Sequence, residues 1–430
     1  MRRSSFASLI ALLVFGCSSS PTAATSTGDS GSASDTGSSD ASIADTVTAD
    51  AAEGPGFDLD MAITVPSATE EFRCKAFKIP APATGTEVFM SGYEHHYTAG
   101  SHHYLVYRTD LTDIPAGDDT PFDCAEGGGI MQHAGGYAFG GQVPDETVDF
   151  PSGVALPLNG GEVVILQVHY IDATSTPIDA SIHVRINTMD ASQVVHRAGA
   201  MRMYDPFVYV PPNTSATAQM RCTTKHDMTV FAAAPHMHAR GVMHTTWLDL
   251  AGAAPSTSAL LTDADWEHPT NYAGTLAVPQ GSSFHFRCDY QNPNNQTYYQ
   301  GQSANTNEMC MLTALFYPDN PDDNGFCFGE GYGGGTTTCS QLLTAIQACP
   351  AADAPKVNAE NAGVDVGPCW QQALAGSCPN ASALMFSFTG CLQSKCASQC
   401  ATINSTCTSC IATNCAAQYS ACNSATCTSP

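Results

Sequence analysis

Between Gly56 and about Tyr332 the chain runs in short alternating or wholly apolar stretches, broken by Pro, Gly, Asn and Asp, with hardly a segment of helical period. Alternation with a period of two is the mark of a strand, because successive side chains point to opposite faces of a sheet. Glu87 to Met90, His103 to Tyr107, Val163 to Tyr170, Ser181 to Ile186, Met228 to Ala233, Thr245 to Leu250 and Met311 to Tyr317 are the clearest examples. Many short strands with turn signals between them predict a mainly β protein, and the length suits two tandem antiparallel β-sandwiches, jelly-roll-like in type. They are expected over residues 57–192 and 193–332, with the boundary near Asp190 to Met201.

The two ends of the chain follow other patterns. After Tyr332, Gly333-Gly334-Gly335 opens a segment, 333–430, that holds twelve of the nineteen cysteines in Ala, Ser, Thr and Gln-rich sequence. Gaps of three to six residues between those cysteines, from Cys391 on, are compatible with helical turns stapled together, so a small disulfide-rich helical region is expected there. Zinc knuckles use similar spacings, but an oxidising compartment and an even count favour disulfides. At the other end, Arg2 and Arg3 precede the apolar run Phe6 to Phe15, too short to span a bilayer, and 1–16 reads as an export signal. Val14-Phe15-Gly16-Cys17 resembles a bacterial lipobox, although Phe15 is bulkier than that pattern carries. Lipidation of Cys17 leaves eighteen cysteines, an even number free to pair. Residues 17–56 then form a Ser, Thr, Ala, Gly and Asp-rich tether, too polar to bury a core. The expected location is the bacterial cell envelope, at the outer membrane or cell surface, with the lipid as the sole membrane contact.

Charge narrows the partners. Forty acids against fifteen bases, with a formal net charge of -25, leave no basic stripe for phosphates, so no nucleic acid is expected.

The fourteen histidines are more informative by placement than by number. Three patterns stand out: Ser101-His102-His103-Tyr104, Leu166-Gln167-Val168-His169-Tyr170 and Pro235-His236-Met237-His238-Ala239-Arg240-Gly241. His236 and His238, two apart, share a face of a strand, and Pro235 places them at an edge or strand start. His102 and His103 are adjacent, so they reach one metal only if their strand bulges or ends there. His169 follows the buried-looking run Val163 to Leu166 and shares a strand face with Val163, Ile165 and Gln167. A fourth element, Asn307-Glu308-Met309-Cys310, brings a thioether beside a cysteine. Imidazole and thioether together suit copper, and a thioether favours Cu(I).

These segments, with Phe72-Arg73-Cys74-Lys75-Ala76-Phe77, occur in the order and with the spacing seen in the copper type II, ascorbate-dependent monooxygenases, and the chain resembles that family over roughly residues 60 to 330. The family includes peptidylglycine alpha-hydroxylating monooxygenase and dopamine beta-monooxygenase. The resemblance implies two coppers per chain, one in each sandwich, facing each other across a solvent-filled cleft. His102, His103 and His169 are implied as ligands of an electron-storing copper; His236, His238 and Met309 as ligands of the catalytic copper that meets dioxygen. The implied reaction hydroxylates a substrate C–H bond, with one oxygen atom entering the product, the other leaving as water, and ascorbate or another one-electron donor supplying electrons. Carried over position by position, the resemblance also implies disulfides Cys74 to Cys124, Cys222 to Cys327 and Cys288 to Cys310.

The substrate side departs from the peptide-hydroxylating branch. Ala234 stands where that branch anchors a carboxylate with arginine, and Met311 and Thr313 replace its asparagine and tyrosine. No partner for a carboxylate is evident, so glycine-extended peptides are expected to be poor substrates. The substrate, a small molecule or peptide, is not identified by the sequence. A second dyad, His95-His96, competes with His102-His103 for the ligand role, and the latter is favoured because an apolar strand follows directly. The alternative to an enzyme is a copper-binding or interaction lipoprotein that keeps the fold without turnover.

Overall fold

The seven stretches named above are extended strands in the computed structural model, apart from Leu250, which lies just past the end of its strand. Residues 55–124, 130–172, 174–327, 331–332, 335–353, 356–358, 363–378, 380–396, 398–399 and 405–427 are described. The export signal, Cys17 and nearly all of the tether lie outside the described residues.

Four larger sheets carry the β portion. The first runs, in spatial order, Gly56–Val65, Ile178–Met189, Glu87–Tyr97, Val154–Asn159 and His196–Arg197, with Asp145–Asp149 also paired to Glu87–Tyr97. The second is Phe122–Asp123, Glu70–Lys78, Val163–Ile171, Ser101–Thr109 and Ala134–Gly141. Between them Leu59, Val106, Leu166, Val168, Val184 and Ile186, all essentially inaccessible, form an apolar core. That is how strands with one apolar face become stable: each sheet is the other's cover. The remaining two sheets use later strands: Tyr272–Val278, Met228–Met237, Cys310–Tyr317, Gly199–Tyr204 and Gly325–Cys327 form one. Leu261–Asp263, Gly241–Asp249, Ser283–Asn292, Thr214–Thr223 and Gly331–Tyr332 form the other, around a core that includes Met203, Met220, Phe284, Phe286 and Phe316. The chain passes from the first pair of sheets to the second at Ala198, because His196–Arg197 still pair with Val154–Ala155.

The two pairs of sheets touch. Phe231 and Leu315, from the second, belong to the apolar cluster of the first, and the rings of Phe150 and Phe231 lie 4.9 Å apart. Disulfides join Cys74 to Cys124, Cys222 to Cys327 and Cys288 to Cys310. The last bridges the two sheets of the second pair and fixes the strand that begins directly after Met309.

The C-terminal region is helical: Cys339–Gln347, Pro368–Ala375, Ala381–Cys396, Ser405–Asn414 and Ala416–Ser424. Thr338 caps the first of these through Gln341, in a reciprocal capping box. So small a core needs covalent help. Disulfides 339–422, 349–369, 378–427, 391–415 and 396–410 supply it, and Cys407 is also disulfide-bonded. The region docks on the second pair of sheets through Phe207, whose ring stacks 5.4 Å from Phe386, and through Gln371, whose Oε1 accepts from the Gln300 N–H at 2.7 Å. Among the described residues no helix is long and apolar enough to cross a membrane.

Candidate metal centre

His102 and His103 open the strand Ser101–Thr109. Against Val163–Ile171 the register jumps: Ser101 faces Tyr170 and His103 faces His169, so His102 is the extra residue of a bulge. A bulge re-aims a side chain that regular pleating would send to the opposite face. The two rings come to 4.9 Å of each other, and His103 lies 5.1 Å from His169. His169, fully buried, stacks at 4.0 Å on Phe72 of the neighbouring strand.

His236 is next to last in the strand Met228–Met237, and His238 follows that strand's end. Pro235 is therefore near the end of the strand and not at its start. It lies beyond Ala233, the last residue paired with Tyr272–Val278, where only Cys310–Tyr317 remains as a neighbour. A residue without an N–H is tolerated at such a place.

The two histidine sets are not held apart by a solvent-filled cleft. The ring of His102 lies 4.9 Å from His236 and 5.4 Å from His238, and His103 lies 5.1 Å from His236. Ligand nitrogens of His102, His103 and His236 fall within 4.8 Å of one another. Apolar contact through Phe231 and Leu315, together with the polar links described next, holds both pairs of sheets around one group of five imidazoles.

Hydrogen bonds decide which nitrogen of several rings is bare. The Glu70 carboxylate accepts from His169 Nε2 at 2.8 Å, which leaves Nδ1 without a proton. Gln142 donates its amide to the Trp266 carbonyl at 2.9 Å, so its oxygen faces His236 Nδ1, also at 2.9 Å, and His236 Nε2 is bare. The Asn307 carbonyl accepts from His238 Nδ1 at 3.4 Å, which leaves Nε2 bare. Both nitrogens of His102, Nδ1 of His103, Nδ1 of His169 and Nε2 of His238 are buried with no hydrogen-bond partner. Such orphaned polar atoms cost free energy unless something pairs with them. A metal ion that binds neutral imidazole fits this donor set.

Burial keeps the rings neutral. It drives His102, His103 and His236 well below the usual histidine range, with the neighbouring rings adding to the effect, and lowers His238 to about 3. His169 is lowered by burial as well, against the pull of Glu70. For Glu70 burial acts upward, but hydrogen bonds from His169, Ser303 and the Ala304 N–H outweigh it and hold the carboxylate at about 2.

Met309 is buried and borders the same cavity, of about 180 Å³, that His103 and His236 border. Its carbonyl accepts from the Tyr290 hydroxyl at 2.7 Å. Ala234, Met311 and Thr313 line this cavity, with Tyr104, Tyr137, Phe231 and Tyr272. Arg202 lines it too, in one row with Thr313 and Ala234 across three paired strands, and its guanidinium donates to the Tyr107 hydroxyl at 3.3 Å. A cation therefore stands in this wall, contributed by a different strand from Ala234, Met311 and Thr313 and already engaged with Tyr107 and the Met311 sulfur.

His95 and His96 are engaged elsewhere. His95 donates from Nε2 to the Val143 carbonyl at 2.8 Å and accepts from the Tyr104 hydroxyl at Nδ1, while His96 is exposed beside Asp145. His133 pairs with Asp110 and His226 with Asp323, and buried His244 bonds to the Met311 carbonyl. Sequence reasoning missed Glu70, Gln142, Arg202 and the pairing of Arg240 with Glu308. Arg240 stands in the motif that holds His236 and His238, and Glu308 in the one that holds Met309, but nothing local joins them: Arg240 binds Glu308 and the carbonyls of Ala304, Asn305 and Asn307.

Comparison with known proteins gives one family match: residues 196–333 match the C-terminal domain of the copper type II ascorbate-dependent monooxygenases. No curated protein matches the chain. Among solved structures, the glycosylasparaginase PNGase F from Flavobacterium meningosepticum is similar at 9% identity over 60% of this chain and 96% of its own, with a TM-score of 0.28. The structure of the infectious bursal disease virus Gx strain is similar at 8% identity over 62% of this chain and 73% of its own, with a TM-score of 0.16.

Proposed function

We propose that the whole chain is an exported copper monooxygenase, on the match of residues 196–333 to the C-terminal domain of the copper type II ascorbate-dependent monooxygenases. It hydroxylates a C–H bond of a substrate held in the cavity beside His236 and Met309, with dioxygen and a one-electron donor such as ascorbate. The observation that carries this reading is the convergence of five histidines from both pairs of sheets, His102, His103, His169 and His238 buried and His236 partly so, with unpartnered nitrogens on the four buried rings. His102, His103 and His169 would hold one copper; His236, His238 and Met309 would hold a second. Bound copper supplies the redox chemistry of oxygen activation, which no side chain here provides.

The chain's own residues do the rest. Glu70, Gln142 and Asn307 fix the tautomers of His169, His236 and His238, so the lone pairs are aimed before any metal arrives. The aromatic and aliphatic walls of the cavity exclude water and favour an apolar substrate body, and Arg202 adds one cation to that wall. Lipidation at Cys17 would tether the enzyme to the outer membrane or cell surface, with the disulfides suited to that oxidising location.

The test is oxygen uptake by the copper-loaded protein with ascorbate. Wild type should consume oxygen, and Met309→Ala should abolish uptake while keeping the far-ultraviolet circular dichroism of the β fold. Copper bound without uptake across a panel of apolar substrates would favour a copper-binding lipoprotein.

A further inference from the structure

Two side chains of the first pair of sheets reach across to the second, and each also fixes a histidine. Gln142, at the end of the strand Ala134–Gly141, accepts from His236 Nδ1 and donates to the Trp266 carbonyl, both at 2.9 Å. Glu70, at the start of Glu70–Lys78, accepts from His169 and from the Ala304 N–H at 2.7 Å, and also from Ser303. The segment it grips, 303–308, is the one that carries the Asn307 carbonyl to His238 and leads into Met309. Gln142 is 7% exposed, so its latch sits in a dry environment where a hydrogen bond is strong and its loss is costly; Glu70 is half-buried, and its latch gains instead from a carboxylate that accepts from three donors at once.

We infer that Gln142 and Glu70 are positioning residues that latch the two pairs of sheets together and, by the same contacts, aim one copper-binding histidine on each side of the junction. The inference rests on the copper reading above. Each contact then both closes the junction and orients a ligand: losing Gln142 frees the His236 tautomer and Trp266, and losing Glu70 frees the His169 tautomer and the loop before Met309. Trp266, 5.3 Å from the His102 ring, closes over the group when Gln142 holds its carbonyl.

The test compares Gln142→Ala, Glu70→Ala and the isosteric Glu70→Gln with wild type in two measurements: Cu(I) affinity at each site, by competition with a chromophoric chelator, and amide hydrogen exchange. Gln142→Ala should weaken the copper of His236 and His238 by about 10- to 100-fold, and Glu70→Ala the copper of His169 by a similar factor. Exchange should quicken at 266–272 in the first and at 303–308 in the second, and Glu70→Gln should restore part of both effects. Wild-type affinity in the alanine variants, or equal weakening of both sites without faster exchange, would overturn the inference. Should wild type bind no copper, the functional reading fails and the latch stands or falls on exchange: quicker in the variants upholds it, unchanged refutes it.

Discussion

Single side chains here act against the usual preference for charge at the surface. Asp205 is fully buried, accepts from the Phe207 N–H at 2.9 Å, and is pushed up by burial to about 7. Its folded value lies above the unfolded one, so its contribution is complete below about pH 4 and is lost as pH rises towards 7. Stability should therefore fall across that window, by about 1.4 kcal/mol for each pH unit it spans. Asp205→Asn keeps the carbonyl acceptor, and its denaturant midpoint should vary less with pH between 4 and 7 than that of wild type. Parallel curves for the two proteins would show that Asp205 is not the group responsible. Legibility at this scale was uneven. The five histidines and Met309 could be picked out because imidazole and thioether are rare and their local patterns distinct. Glu70 could not, since its partners His169 and Ser303 lie about a hundred and more than two hundred residues away, and nothing local marks one glutamate among many.

At the scale of elements, the bulge at His102 and the loop from Ser303 to Met309 do most to shape the centre. A bulge or strand end was recognisable from the sequence as a condition for His102 and His103 to act together, though not as a fact, because adjacent histidines on a regular strand diverge. The loop's organisation was not legible. Arg240 and Glu308 form a buried ion pair, and three loop carbonyls gather on the same guanidinium. Removing one partner of such a pair leaves the other charge uncompensated, at a cost of about 3 to 5 kcal/mol. Arg240→Leu should lower the unfolding free energy by that amount and weaken copper at the Met309 site. A loss below about 1 kcal/mol in a chemical denaturation series would show that the loop holds without it. In the cavity wall, Arg202→Met should lower affinity for a carboxylate such as 3-phenylpropionate by at least tenfold and leave that for 3-phenylpropanol unchanged. Calorimetric titration of the metal-free protein measures both, and equal affinities in the variant and wild type for the acid would rule out a role for Arg202 in binding it.

For the whole molecule, the sequence pattern was enough to predict a mainly β protein with a stapled helical end, because periodicity and cysteine spacing are local signals. How the two pairs of sheets approach each other was not, since that depends on contacts such as Phe150 with Phe231 and Gln142 with Trp266. The result is one group of imidazoles fed from both sides, where two separated sites were expected. That this single group holds the two proposed coppers is tested most directly by the copper stoichiometry of the folded, reconstituted protein, with His169→Ala and Met309→Ala beside wild type. The account predicts about two coppers per chain, with His169→Ala losing or weakening one and Met309→Ala the other. A folded wild type that binds no copper, or two variants that both keep the full complement, would contradict it.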